Sequence, residues 1–251
     1  MSFENEPFAS ARTQNIASMG ADNDLKTFSR TWQVEAAKHN YTYNFSWLGR
    51  PIIQLPQDVF AMQELIWSIQ PDLIIETGIA HGGSLIFSAS MLELNAACGG
   101  PEDGEVLGID IDIRAHNRDA IEAHPMFKRI SMIQGSSIAP EVIEQVRARA
   151  GGKQRVLVCL DSNHTHDHVL AELEAYAPLT SVGSYCVVFD TAIEEVPAEM
   201  FADRPWGPGN NPKTAVWAFL KTNDRFVIDQ DISNKLLITV APDGYLKRIK
   251  E

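Results

Sequence analysis

The chain has 251 residues, 45% of them hydrophobic, with a net charge of −12 and a pI near 5.0. That length and apolar content fit one α/β domain with an N-terminal extension and exclude a disordered chain. The acidic balance argues against nucleic acid and anionic membranes as partners. No run approaches the ~20 apolar residues of a membrane span, and the acidic start MSFENEPFAS is not a secretory leader, so the expected location is the cytoplasm. Cys98, Cys159 and Cys186 are odd in number and lack a C-x-x-C pair. They read as reduced structural thiols rather than a disulfide framework or a zinc site.

Residues 1 to about 20 are polar and aperiodic and are expected to form an arm. Leu25, Phe28, Trp32 and Ala36 recur at helical spacing between Asp22 and His39. The aromatic segment Tyr41–Trp47 alternates, as a strand or as a cover over a cleft. Pro56 and Asp58 open a helix to about Ile69. This extension, 1–56, precedes the main domain, 57–251.

From there strands alternate with helices. The expected strands are 72–77, 105–110, 129–134, 155–161 and 185–190. The helices between them cover 83–94, 115–122, 139–150 and 166–176. A long loop, 191–211, leads to a helix at 212–221 and to two closing segments, FVIDQD and KLLITVA, taken as strands. The pattern predicts a Rossmann-like α/β fold: a mostly parallel seven-stranded sheet with helices on both faces.

The sharpest local signal is IIETGIAHGGS, residues 74–84. Glycines let a backbone approach a ligand closely, and a helix N-terminus offers free N–H groups. Gly78, Gly82 and Gly83 supply the loop. Ser84 either caps the helix or touches the ligand. The spacing G-x-x-x-G-G departs from the dinucleotide fingerprint G-x-G-x-x-G. Glu76 at the strand end repels a pyrophosphate but suits a cofactor with an amino group, such as S-adenosylmethionine. Asp110, ending the second strand, is placed for ribose hydroxyls, with Asp112 as a second candidate. Ser136 and Ser137 either lie beside the adenine or cap the next helix.

The fourth strand ends in LDSNHTHDH and the fifth in Phe189 and Asp190. Carboxyl ends of neighbouring strands face one crevice, so Asp161 and Asp190 should meet. With Asn163 they make a candidate hard-cation site for magnesium or manganese. His164 and Asp161 are candidate bases for a hydroxyl proton, and His81 is a further candidate. Each histidine is otherwise explained by solvation or helix-start chemistry. None of the seven histidines is followed two residues on by Asp or Glu, against an iron oxygenase.

Taken together, PDLIIETGIAHGGSLIFSASMLEL, LGIDIDIR, LDSNHTHDHVLAELEAYAPLTSVGSYCVVFDT and RPWGPGNNPKTAVWAFL resemble the cephalosporin hydroxylase family, also described as rhamnosyl O-methyltransferases. The resemblance spans roughly 50 to 245. It implies an S-adenosylmethionine-dependent methyltransferase fold. It also implies cofactor roles for Glu76, Gly78, Gly82, Ser84 and Asp110, and magnesium at Asp161 and Asp190. Family members carry a Glu-Asp pair where this chain has Phe189 and Asp190, leaving Asn163, Glu194 or water to replace one ligand.

The resulting expectation is O-methylation of a hydroxyl on a small sugar-bearing or polyketide-like acceptor, by a homo-oligomeric enzyme using S-adenosylmethionine and Mg2+. The aromatic segment, with Trp206, Pro208, Asn210 and Asn211, either lines the acceptor pocket or packs structurally. Rival readings are a hydroxylase or its partner subunit, a non-catalytic scaffold and an NAD-dependent oxidoreductase.

Overall fold

A computed structural model describes residues 6–251; the first five residues of the expected arm lie outside the described residues. The rest of that arm is a helix, α1 (Glu6–Ala21), which buries none of its residues and packs on the C-terminal region. Helix α2 (Asn23–Ala37) starts at Asp22, whose carboxylate accepts from the Leu25 N–H. A short 3-10 turn, Tyr41–Asn44, leads into a hairpin of β1 (Phe45–Trp47) and β2 (Arg50–Ile52). Its two-residue turn, Leu48–Gly49, has φ of +45° and +85°, the mirror-image geometry that matches strand twist. Helix α3 (Pro56–Ile69) follows, opened by Pro56.

The main sheet begins with β3 (Leu73–Thr77), then α4 (Gly83–Ala97), β4 (Glu105–Asp110), α5 (Ala115–Glu122), β5 (Ile130–Gln134) and α6 (Pro140–Ala150). It continues with β6 (Val156–Leu160), α7 (His166–Tyr176), β7 (Tyr185–Val188), α8 (Pro212–Thr222), β8 (Phe226–Ile228), α9 (Gln230–Leu236) and β9 (Tyr245–Arg248). The seven strands run in the order β5-β4-β3-β6-β7-β9-β8, with β3 to β7 parallel and β9 antiparallel to both its neighbours.

Strands β3 and β6 are buried at every position, as expected when helices cover both faces. Alternate residues serve two cores. Ile74, Cys159 and Val187 face α3 and α4, while Leu73, Ile75 and Val158 face α6, α7 and α8. Strand order reverses between β3 and β6, which opens a crevice at their carboxyl ends.

The C-terminal segment departs from expectation. KLLITVA is not a strand: its first residues finish α9, capped by the Asp229 carboxylate on the Asp231 N–H, and Leu237 then turns the chain at φ +60°. The last strand comes later, at Tyr245. The intervening loop is tied to α3 by Asp58, which accepts from Thr239 Oγ1, the Val240 N–H (2.9 Å) and Tyr245 OH (2.8 Å).

Candidate functional site

The loop after β3 folds tightly because its neighbours leave no room for side chains. Gly78 has φ +89°, and a Cβ there would stand 1.9 Å from the Asp161 carbonyl oxygen. A Cβ on Gly82 would meet Ile121, and one on Gly83 would meet the Pro51 carbonyl. Asp110 binds the loop: Oδ2 accepts from the N–H of Ile79 (2.8 Å) and Ala80 (3.3 Å), while Oδ1 accepts from Asp112 (2.9 Å). A carboxylate has about four lone-pair sites, so Asp110 keeps acceptor capacity for a ribose.

Two residues that carry no sequence signal brace the loop from outside. Arg50 donates from Nε (3.1 Å) and Nη2 (2.5 Å) to the His81 carbonyl, and from Nη2 to Asn117 Oδ1 (3.1 Å). Asn117 Nδ2 donates to the Ala80 carbonyl at 2.8 Å. His81 contributes its carbonyl to this brace.

Glu76 lies below the loop, buried, accepting from Ser84 Oγ. Burial pushes its carboxyl up to about 7, with the Ser84 hydrogen bond opposing. Ser84 therefore ties α4 to the end of β3.

At the ends of β6 and β7, Asp161, His164 and Asp190 each offer a ligand atom within 4.8 Å of the others. His164 Nε2 is 3.3 Å from Asp190 Oδ2. The His164 ring also packs against Trp206, centroids 4.8 Å apart and planes at 88°. Asp190 is held at φ +56°, a conformation that costs about 1–3 kcal/mol and persists where the surroundings impose it. Withdrawal from water, followed by the charges of Asp190, Glu76, Glu172 and Asp58, raises Asp161 well above the usual carboxylate range. Gln54 Nε2 donates to Asp161 Oδ2 at 3.3 Å.

The structure redistributes some expected roles. Asn163 Oδ1 accepts from the Thr165 N–H (2.9 Å) and hydroxyl (2.8 Å), and His164 joins Asp161 and Asp190 as a candidate ligand. Glu194 accepts from the Gly209 N–H and from Asn211 Nδ2, so it fastens the 205–211 loop. Asn211 is fully buried as the cap of α8, and Asn210 Oδ1 accepts from the His166 N–H, so both take the structural role of the two that the sequence left open. Ser136 does not cap α6: that position belongs to Ala139. Ser136 lies on the loop after β5, beside Ser137, whose hydroxyl meets His168 Nε2 at 3.0 Å. Phe189 is buried in the apolar core facing α3 and α4.

Two carboxylates and an imidazole fit a divalent cation. Ligands bound at about 2.1 Å to one ion stand at most about 4.2 Å apart, so the cluster needs only a small closure. Carboxyl-rich surroundings equally suit the sulfonium and amino group of S-adenosylmethionine. A single imidazole is one short of the iron facial triad.

The sequence profile of the family Rhamnosyl O-methyltransferase/CmcI matches residues 39–249. The chain belongs to this family. Curated relatives include the Rhamnosyl O-methyltransferases of Mycobacterium tuberculosis, 33% identical over 76% of this chain and 73% of the relative, and of Mycobacterium leprae, 30% identical over 63% and 66%. Among solved structures, a CmcI with magnesium and S-adenosylmethionine aligns with a TM-score of 0.57 at 19% identity, covering 83% of this chain and 78% of the other. An O-methyltransferase from Bacillus cereus in complex with S-adenosylhomocysteine gives 0.52 at 15%, covering 91% and 92%. At those identities the likeness is one of fold, and it bears out the Rossmann-like reading of this Rhamnosyl O-methyltransferase/CmcI member.

Proposed function

We propose that this chain is an S-adenosylmethionine-dependent O-methyltransferase acting on a hydroxyl of a small acceptor, a sugar or sugar-bearing molecule. The observation that carries this reading is the convergence of Asp161, His164 and Asp190 at the mouth of the same crevice as the Gly78–Gly83 loop. Family membership and the naming of its relatives support sugar methylation.

S-adenosylmethionine supplies an electrophilic methyl group on a sulfonium. Asp110 and the loop N–H groups would hold its ribose side, Glu76 and Ser84 its amino-acid end, and Ser136 its adenine. Asp161 and Asp190, joined by His164, would hold a divalent cation that lowers the acceptor hydroxyl's pKa. Where no cation is bound, His164 or Asp161 would take the hydroxyl proton as the oxygen attacks the methyl carbon and the thioether leaves; where one is bound, the lowered pKa would let the proton pass to solvent. Orientation of the two reactants supplies much of the rate.

Within the extension, the segment 45–56 is proposed as acceptor-side lining of the domain 57–251. Among the described residues no helix is long and apolar enough to cross a membrane. Reduced thiols and a soluble cofactor support a cytoplasmic enzyme. Exposed Phe28 and Phe60 support a homo-oligomer.

The test is calorimetric titration of S-adenosylhomocysteine, with and without magnesium, and with NAD as control. Micromolar binding of S-adenosylhomocysteine alone is expected. Its absence under every condition sinks the reading in favour of a scaffold.

A further inference from the structure

Asp190 reaches the crevice from a backbone that few residues with a Cβ adopt, at φ +56°. One loop, between α9 and β9, holds the chain on both sides of it. Every second carbonyl of that loop accepts from the chain around Asp190. Val240 accepts from the Ala192 N–H (3.0 Å), Pro242 from the Thr191 hydroxyl (2.6 Å) and Gly244 from the Val188 N–H (2.8 Å). The approach at Gly244 leaves no room for a side chain: a Cβ there would stand 2.1 Å from the Val188 carbonyl oxygen. Thr191 is fully buried, so its hydroxyl has no water as an alternative partner.

The loop is in turn fixed from α3. Asp58, fully buried in the first turn of that helix, accepts from Thr239 Oγ1, from the Val240 N–H (2.9 Å) and from Tyr245 OH (2.8 Å). Thr239 Oγ1 also accepts from the Ala241 N–H (2.9 Å), and the Thr239 carbonyl accepts from Gln33 Nε2 of α2 (2.7 Å). Burying a carboxylate is costly unless its oxygens are satisfied. Here the donors that satisfy it come from the start of the loop and from Tyr245, just past its end. Val240 joins the two halves: its N–H donates to Asp58, and its carbonyl accepts from Ala192.

We propose that Asp58 and Thr191 are positioning residues for the cation site: through the loop 239–244 they impose the left-handed backbone at Asp190 and so aim its carboxylate at Asp161 and His164. The inference rests on the methyltransferase reading and on the divalent cation within it. It explains why a strained residue persists at this strand end, and it gives the first turn of α3 a part in the site.

The experiment measures Mn2+ affinity of the full chain by electron paramagnetic resonance, which reads the site without turnover. Asp58→Asn keeps the shape of the side chain but replaces one acceptor by a donor. Thr191→Val keeps the volume, leaves the Pro242 carbonyl without its hydroxyl donor and removes no charge. Each should weaken Mn2+ binding by about ten- to a hundredfold, as for other groups that orient a metal ligand. S-adenosylhomocysteine affinity should stay at the parent's level. The double variant should lose less than the product of the two, because both changes release the same loop. Asp72→Asn is the control for stability alone. Asp72 accepts from the N–H groups of Gln154 (2.8 Å) and Arg155 (2.9 Å) at the amino end of the sheet. Its replacement should lower Tm and leave Mn2+ affinity at the parent's value.

Parent-like Mn2+ affinity in folded Asp58→Asn or in Thr191→Val overturns the proposal. So does an equal loss in Asp72→Asn, which would make the effect one of stability. Strictly multiplicative losses in the double variant also overturn it, because they put the two residues on separate paths. A parent protein that binds no Mn2+ removes the cation site and this proposal with it. S-adenosylhomocysteine titration of the same samples decides the methyltransferase reading by itself: cofactor binding with parent-like Mn2+ affinity in the variants ends the positioning proposal alone.

Discussion

His164 Nε2 stands 3.3 Å from Asp190 Oδ2, although the two residues come from different strand ends. The contact orients the imidazole toward the crevice, and Trp206 limits its swing from the other side. As the proposed base in the cation-free site, His164 would act through position, and general-base catalysis contributes roughly 10²–10⁴-fold. His164→Ala should therefore lower kcat by about that factor while S-adenosylhomocysteine affinity changes less than about twofold. Asp190→Asn should cost less, and the double variant little more than His164→Ala, because residues acting as a unit are not additive. Additive losses in steady-state kinetics would contradict the pairing.

The same cluster predicts a metal preference. Imidazole nitrogen favours manganese over magnesium, whereas an all-oxygen set does not discriminate in that way. Titration followed by the Mn2+ electron paramagnetic resonance signal should show tighter binding than magnesium competes for. Asp161→Ala should abolish binding and His164→Ala should narrow the manganese advantage. Binding unchanged in Asp161→Ala would remove the site altogether.

How far these residues could be read in the sequence follows from what periodicity encodes. Parallel strands bring their carboxyl ends together by topology, so Asp161 and Asp190 were legible as neighbours from the strand pattern alone. Which side chain completes the cluster depends on local turn geometry. Asn163 spends its oxygen on Thr165, and His164 takes the place beside Asp190. Arg50, Gln54 and Asn117 act across long sequence separations and leave no motif. KLLITVA failed as a strand because a short apolar run reads equally as helix or strand, and the local signal that decided it was the Asp229 cap. Helix α1 buries no residue, so no apolar stripe announced it.

Gly78 offers a sharp stability test. A Cβ there would stand 1.9 Å from the Asp161 carbonyl, in backbone that is itself left-handed. Backbone against backbone cannot yield by a rotamer change, so Gly78→Ala should destabilise by more than about 3 kcal/mol. Gly49 has φ +85° but open space around it, and Gly49→Ala should cost about 1 kcal/mol. Urea denaturation distinguishes them; equal costs would mean that the close approach to Asp161 is unimportant.

Arg50 tests whether the loop needs its brace. Its hydrogen bonds to the His81 carbonyl and Asn117 hold the turn between Gly78 and Gly82 without touching the reacting atoms. Hydrogen bonds from a charged donor contribute about 1.5–3 kcal/mol each. Arg50→Ala should raise KM for S-adenosylmethionine by about ten- to a hundredfold with kcat nearly unchanged. A fall in kcat at constant KM would assign Arg50 to the chemistry instead.

Glu76 gives the protein a pH dependence of definite sign. Its carboxyl is 5% exposed, and burial raises it from 4.5 to about 7. The folded state thus favours the protonated form: the contribution to stability is fully present below pH 4.5, fades as pH rises through 7, and is absent above. The shift corresponds to roughly 3 kcal/mol. Glu76→Gln keeps an acceptor for Ser84 but cannot ionise. In the absence of cofactor it should therefore be more stable than the parent at pH 8, by about 6–12 °C in Tm, and nearly equal to it at pH 4.5. The same variant should bind S-adenosylmethionine more weakly, because the ionised carboxylate is proposed to pair with the cofactor's amino group. A Tm difference independent of pH would show that Glu76 is already ionised in the free protein, and would take away the reason for an acid at that strand end to await a cation.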